Sequence, residues 1–227
     1  MKDNWHDSVN RYLLNEDDLQ IYQLLIRELG HAIVRQESYD KIYRMNKQLQ
    51  AAATTDVLTG ITNRMGMYAR VEELLEKRTQ VEGLGIMFID LDNFKPYNNT
   101  YGHEIGDIVL QGMAKIFDAA VGKNGFVSRY GGDEFIIITY INQKEKIEII
   151  AKEIYNRIKL TDGFIKEIED KLHMSVEIDS SHKISCSIGI TVCDAFSEKN
   201  QLDEMIKFAD DSLYTIKAAG KGTYIFA

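Results

Sequence analysis

Phe126-Val-Ser-Arg-Tyr-Gly-Gly-Asp-Glu-Phe-Ile-Ile-Ile-Thr-Tyr140 is the stretch from which the fold of this chain is read. Phe126 to Tyr130 and Phe135 to Tyr140 are rich in β-branched and aromatic residues, and Gly131-Gly132-Asp133-Glu134 separates them. A glycine pair between two such runs predicts a hairpin, because tight hairpin turns need backbone at positive φ. Upstream, Gly85-Ile-Met-Phe-Ile-Asp90 is an apolar run of strand length. Downstream, Ile184, Cys186, Ile188, Ile190 and Val192 alternate strictly and predict a half-buried strand, with Thr223 to Phe226 a terminal one. Helical spacing links Tyr68, Val71, Leu75 and Arg78, then Ile105, Val109, Gly112, Ile116 and Ala120. It recurs at Ile147, Ile150, Ile154 and Ile158, and again at Leu202, Met205, Ile206, Ala209, Leu213 and Ile216. This order predicts an α+β fold, a mainly antiparallel sheet covered by helices, behind a leading helical segment. Residues 161–183 fit no element and read as a surface excursion with a small hairpin of its own.

The chain has 227 residues with 27 basic against 35 acidic side chains, a net charge of -8. That acidity argues against coating a nucleic acid polymer, which needs a basic face. A nucleotide ligand stays open, since metal ions can carry phosphates into an acidic site. The start, MKDNWHDSVNRYLLNEDD, has no basic stretch followed by an apolar one and does not read as a signal peptide. No apolar run approaches the roughly 20 residues of a membrane helix. The two cysteines, Cys186 and Cys193, fall in one strand pattern, roughly 20 Å apart, too far to bridge. A reducing, cytoplasmic compartment is expected.

Residues 1–55 differ from the 56–227 domain: charged and amide side chains abound and Gly30 is their one glycine, a helical composition. Ile42, Met45, Leu49 and Ala52 follow a 3-4-3 spacing that suits a coiled-coil seam, so a dimerising connector or a plain amphipathic capping helix is expected here.

Asp90 and Asp92 end the first long strand, and Asp133 and Glu134 sit at the hairpin tip. Paired side by side, those strands bring three or four carboxylates to one edge of the sheet. Like charges that close raise one another's pKa unless a cation neutralises them. Oxygen ligands without His or Cys favour Mg²⁺ or Mn²⁺, which also hold phosphates, whereas a solvated acidic turn is the plainer alternative. The loop that follows, Asn93-Phe-Lys-Pro-Tyr-Asn-Asn-Thr-Tyr-Gly-His-Glu-Ile-Gly-Asp107, offers backbone N–H groups and Lys95 to an anion. Asn98 and Asp107 suit a guanine edge, whose N1–H and exocyclic amine a carboxylate can accept. Asp56 and Arg64 bracket Leu-Thr-Gly in a turn expected to be held by their ion pair. Trp5 and the scattered His6, His31, His173 and His182 share no ligand spacing.

Asp56-Val-Leu-Thr-Gly-Ile-Thr-Asn-Arg64, Asp90-Leu-Asp-Asn-Phe-Lys95, Asn98, Gly102-His103, Gly106-Asp107 and Arg129-Tyr-Gly-Gly-Asp-Glu-Phe135 together resemble the GGDEF family of diguanylate cyclases. The likeness continues through Ser187-Ile-Gly189 and Ala209-Asp-Asp-Ser-Leu-Tyr-Thr-Ile-Lys217, covering residues 54–227 in order. The resemblance implies a fold similar to the palm of nucleotide polymerases and cyclases. It implies condensation of two GTP molecules into cyclic di-GMP and pyrophosphate, between two domains facing each other, each holding one GTP. By motif position, Asp90, the Leu91 carbonyl, Asp133 and Glu134 would hold Mg²⁺ or Mn²⁺, with Asp133 also helping to deprotonate the attacking hydroxyl. Asn93 and Phe94 would give backbone N–H groups to phosphates, and Lys95, Lys217 and Lys221 would neutralise them. Asn98 and Asp107 would read guanine, with His103 nearby. Partners implied are GTP, a second copy of the domain and an upstream sensor domain.

The chain also departs from the family. Gly122-Lys-Asn-Gly125 stands where the family has the Arg-x-x-Asp of its product-inhibition site, which implies weak feedback. Asn99 replaces a frequent Asp, and Lys221-Gly222 a frequent Arg-Asn, which keeps charge but loses a planar fork. The alternative function is a signalling module that binds GTP or cyclic di-GMP without turnover.

Overall fold

The strand Leu84–Asp92 (β2) is apolar on both of its faces up to Asp90, and such a strand is stable only where both faces are covered. The computed structural model, which describes residues 16–76, 83–161, 164–173, 175–176, 183–194 and 199–227, places β2 inside a six-stranded sheet. The other strands are Thr62–Asn63 (β1), Gly125–Gly131 (β3), Glu134–Thr139 (β4), Ser185–Cys193 (β5) and Tyr224–Phe226 (β6), in the order β1-β3-β4-β2-β5-β6. The pairs β3–β4, β4–β2 and β2–β5 are antiparallel, and only the short edge strands β1 and β6 pair in parallel.

Seven α-helices accompany the sheet among the described residues: α1 Glu16–Thr54, α2 Arg64–Glu76, α3 Phe94–Tyr101, α4 His103–Val121, α5 Lys144–Leu160, α6 Ile165–Leu172 and α7 Lys199–Ala219. Met87, Ile89 and Leu91 point into a core shared with Met113 and Phe117 of α4 and Ile147 and Ile154 of α5. Ile86 and Phe88, one residue out of phase, meet Met67 and Val71 of α2 and Leu202 and Leu213 of α7. The α+β reading therefore holds, with helices on both faces of a mainly antiparallel sheet.

Three local expectations change. Strand β5 is buried on both faces rather than one, because Ser187, Gly189 and Thr191 lie beneath α7. Gly189 is what allows that approach: a Cβ there would come within 1.8 Å of the Ala209 carbonyl oxygen. Small residues on the second face had read as the solvent side. Part of the 161–183 stretch, which fitted no element, is helix α6, anchored by buried Phe164 and Ile168; residues 162–163, 174 and 177–182, and with them any hairpin, lie outside the described residues. Asp56 pairs with Arg129 of β3, at 3.1 Å, and Arg64 instead lies over the Tyr130 ring. Trp5, His6, Arg78 and His182 lie outside the described residues.

The chain divides into two units, Met1–Ala51 and Ala52–Ala227. Helix α1 runs 39 residues with no buried side chain. The seam of Ile42, Met45, Leu49 and Ala52 lies on it, and Leu19, Tyr22, Ile26, Leu29 and Ile33 form a second 3-4 stripe that the spacing argument had passed over. At 3.6 residues per turn the two stripes point about 140° apart around the axis. No helix among the described residues is long and apolar enough to cross a membrane.

Replacing Gly189 by Ala should destabilise the domain by about 1–3 kcal/mol, since the obstruction is main-chain oxygen rather than a movable side chain. Urea unfolding, followed by circular dichroism, measures it; an unchanged midpoint would contradict the close packing of α7 on β5.

Candidate active site

Strand periodicity puts Asp90 and Asp92 of β2 on the face that Phe88 shares with α7. The register of β2 with β4 sets Asp90 directly opposite Glu134. Cross-strand partners of like charge are unfavourable, so this pairing is held by the rest of the sheet. Asp133 occupies the two-residue turn with Gly132, whose φ of 34° is positive, as the glycine pair predicted. The Leu91 N–H donates to the Asp133 carbonyl at 3.2 Å, tying the turn to the end of β2.

Arg129 fastens the same turn from the other side. Its Nε and Nη2 donate to the Gly132 carbonyl at 3.0 and 2.8 Å, and Nη1 reaches both Asp56 oxygens. Asp56 also accepts the backbone N–H and the hydroxyl of Thr59. Burial would raise the Asp56 carboxyl, but the Thr59 hydrogen bonds and then Arg129 outweigh it and hold the group below the usual carboxylate range.

Asp90 is driven the opposite way. Burial raises its carboxyl, the neighbouring Asp133 and Asp92 add to the rise, and the ammonium of Lys217 from α7, in contact with Asp90, counters it. Glu134 is raised by burial and then by Asp90, Asp133 and Asp210. The two facing carboxyls thus lack enough positive charge.

Asp92 adds to the rise at Asp90 but is itself well supplied with donors. Buried, it accepts hydrogen bonds from Ser185 and Ser187 hydroxyls at 2.8 and 3.0 Å and from the Gly222 N–H at 3.0 Å. Of the three or four carboxylates expected to converge, Asp90, Asp133 and Glu134 are close enough to raise one another, and Asp92 acts on Asp90 from its own buried hydrogen bonds. The role of Asp92 as a buried acceptor that joins β2, β5 and the segment after α7 is one that a D-x-D spacing does not announce.

The loop residues expected to meet phosphates sit directly beyond β2. Asn93 caps α3 in the left-handed region at φ 63°, and Phe94 is buried behind it. Lys95 is exposed in the first turn, where helix amides have no intrahelical acceptor. Lys221, also at positive φ, brings its ammonium within 3.5 Å of the Asn93 side-chain oxygen. Helices α3 and α4 meet at Gly102, φ 88°, which packs Asn98 of α3 against Gly106 of α4. Asn98 is half-buried, whereas His103 and Asp107 are exposed on the opening turns of α4. Two elements of the site were missed in the sequence: the Arg129–Asp56–Thr59 clamp, whose signal was the arginine two residues before the glycine pair, and the Asn98–Gly106 contact.

Residues 53–223 match the family described as "Diguanylate cyclase, GGDEF domain". The chain belongs to the GGDEF diguanylate cyclase family. Signaling protein YkoW of Bacillus subtilis (strain 168) is 32% identical over 203 residues, covering 87% of this chain and 23% of that protein. Diguanylate cyclase A of Treponema denticola is 31% identical over 180 residues, 78% of this chain and 45% of that one. Cyclic di-GMP phosphodiesterase PdeR of Escherichia coli (strain K12) is 29% identical over 185 residues, 80% of this chain and 25% of that protein. This chain thus spans about a quarter of the length of several of its curated relatives. Two solved structures share the fold: diguanylate cyclase SiaD with its activator SiaC from Pseudomonas aeruginosa, and the coiled coil and GGDEF domain of DgcB from Caulobacter crescentus with c-di-GMP. The first has TM-score 0.65 at 22% identity, covering 98% of this chain and 80% of that one. The second has TM-score 0.65 at 21% identity, covering 89% of this chain and 99% of that one.

Among the described residues no three His, Cys, Asp or Glu side chains are gathered into a ready-made metal cage. The donor set of this GGDEF domain nonetheless fits Mg²⁺ or Mn²⁺. Mg²⁺ is usually held by one or two carboxylates together with substrate phosphates, and Asp90 and Glu134 carry negative charge that one lysine leaves partly uncompensated.

Because both carboxyls titrate higher in the folded chain than when unfolded, their protonated forms favour the fold. Stability they contribute is present below the ordinary carboxylate value of about 4 and is lost as pH rises through the raised value. Mg²⁺ should therefore raise the melting temperature at neutral pH, by an increment that shrinks on acidification. Glu134→Gln should raise the metal-free melting temperature at neutral pH and weaken the Mg²⁺ response. Thermal melts with and without Mg²⁺ across acid to neutral pH decide it.

Proposed function

We propose that this chain condenses two GTP molecules into cyclic di-GMP with release of two pyrophosphates, one GTP held by each of two facing copies of the domain. The observation that carries the reading is the pairing of Asp90 with Glu134 across β2 and β4, beside Asp133, where two half-buried like charges have one ammonium between them. A binding module without turnover has no use for that cost.

In each of two equivalent steps the 3′-hydroxyl oxygen of one GTP forms a bond to the α-phosphorus of the other. The α–β bridging bond breaks, its electron pair leaves on pyrophosphate, and Asp133 helps take the hydroxyl proton on its way to solvent. Asp90, the Leu91 carbonyl, Asp133 and Glu134 would hold Mg²⁺ or Mn²⁺, which when bound neutralises phosphate charge and polarises the reacting phosphoryl oxygens. Asn93 and Phe94 present backbone N–H groups to the phosphates, and Lys95 and Lys221 add positive charge. Lys217, relieved of Asp90, turns its ammonium to the same phosphates. Asn98 and Asp107 read the guanine edge, with His103 beside them. Each domain holds half of the reaction, so pairing of two chains through α1 would govern the rate, and an upstream sensor domain would act on that helix.

Concentrated protein incubated with GTP and Mg²⁺ should yield cyclic di-GMP by mass spectrometry, and an Asp133→Ala variant should yield none. Bound GTP without product would establish the silent binding module instead. Leu49→Glu, in the α1 seam, should cut the rate per molecule at low protein concentration and recover as concentration rises. A rate per molecule independent of concentration in both proteins would remove α1 from the mechanism.

A further inference from the structure

Half-buried carboxylates that face one another need positive charge nearby, and Asp90 takes it from its own chain. The ammonium of Lys217, in the last turn of α7, is in contact with Asp90 Oδ2, at side-chain exposures of 37% and 14%. Among the described residues no other ammonium or guanidinium forms an ion pair with Asp90, Asp133 or Glu134. One lysine thus engages the same carboxylate that the site would offer to a divalent cation.

What can move is the side chain and not the helix. Ala209 backs onto Gly189, where a methyl group would meet main chain, and Leu213 and Ile216 are buried. Gly220 and Lys221 N–H groups both donate to the Ile216 carbonyl, at 3.1 and 3.2 Å, and the Gly222 N–H is held by Asp92. The backbone on both sides of Lys217 is fixed, while its flexible stem can swing the charge. Residue type matters here. A guanidinium grips a carboxylate with two parallel N–H bonds, whereas an ammonium is a compact, strongly hydrated point charge. Lysine suits a contact that has to be given up.

We propose that Lys217 is the resident cation of the unliganded site and makes metal and nucleotide bind as a pair. While the ammonium holds Asp90, Mg²⁺ alone binds only at the expense of that contact. With a nucleotide present, the released ammonium has phosphates to move to, and the lost contact is replaced. The inference rests on the reading that this site takes a metal and a guanine nucleotide. It adds to the direct attraction between metal and phosphate a second coupling, carried by one side chain. Coupling of this kind is reciprocal, so it weakens each ligand alone and strengthens each in the presence of the other.

The test is calorimetry on the full chain, titrated first with Mg²⁺ alone. Lys217→Met should bind Mg²⁺ about tenfold more tightly than the parent, the size of one hydrogen bond to a charged group. Lys217→Arg should bind it no more tightly than the parent. Lys95→Met, which removes an equal charge from the first turn of α3, should leave the affinity unchanged. The second titration uses a GTP analogue with a methylene α–β bridge, which cannot release pyrophosphate, with and without Mg²⁺. Mg²⁺ should strengthen binding of the analogue by a factor about tenfold smaller in Lys217→Met than in the parent.

Mg²⁺ binding that is unchanged or weaker in Lys217→Met overturns the inference and leaves Lys217 a phosphate contact only. Equal tightening in Lys95→Met also overturns it, since the effect would then be one of overall charge. The same Mg²⁺ enhancement of analogue binding in parent and Lys217→Met removes the coupling. Lys217→Gln replaces the methionine variant if that one does not fold, and failure of both to fold overturns the inference by making the ammonium a structural support. A parent that makes cyclic di-GMP while Lys217→Met gains no Mg²⁺ affinity loses this inference and keeps the cyclase reading. Absence of Mg²⁺ binding in every one of these proteins removes the metal reading and the inference together.

Discussion

Asp90 and Glu134 face one another across β2 and β4, half-buried and of the same sign, with Asp133 in the adjoining turn and one lysine ammonium set against them. Main-chain hydrogen bonds cannot relieve this, because the register that makes the sheet also makes the pair. The burial beneath α7 that raises both carboxyls is the burial that completes the second core. The remaining features of the site are arranged around this pair.

The hairpin turn that carries Asp133 is fixed from two directions. Leu91 holds it to β2, and Arg129 holds it to Asp56, in the turn that follows α1. Side chains of both ion-pair partners are largely covered, at 16% and 21% exposure, so the contact is less screened than a surface pair. Hydrogen bonds to charged groups of this kind are worth about 1.5–3 kcal/mol each. The turn is consequently a rigid part of the domain, and the point where the chain enters the domain is joined to the point where chemistry is expected.

Asp92 illustrates how a strand end can divide its work. One residue pair along β2, Asp90 meets a lysine, while Asp92 is consumed by two serine hydroxyls and the Gly222 N–H. That anchorage fixes the segment bearing Lys221 close to Asn93, and so orients the opening of α3. Gly222 at this position keeps the N–H available at a φ of 65°, which a side chain would strain.

Much of this was legible without coordinates, where the signal is local. Hairpin, strand and helix periods follow from repeat spacing, and the ordered motifs place Asp90, Lys95, Asn98, Asp107, Asp133, Glu134 and Lys217 in one family pattern. The sequence by itself determined which residue types could bind a metal and a nucleotide, because that is a matter of donor chemistry and spacing along one chain. Only the tertiary structure decided that Asp56 pairs with Arg129 rather than Arg64, that β5 is covered on both faces, and that Asn98 rests in the space left by Gly106. Each of those depends on which distant segments come into contact, and contact at long sequence separation is set by the packing of whole elements, which no local period encodes.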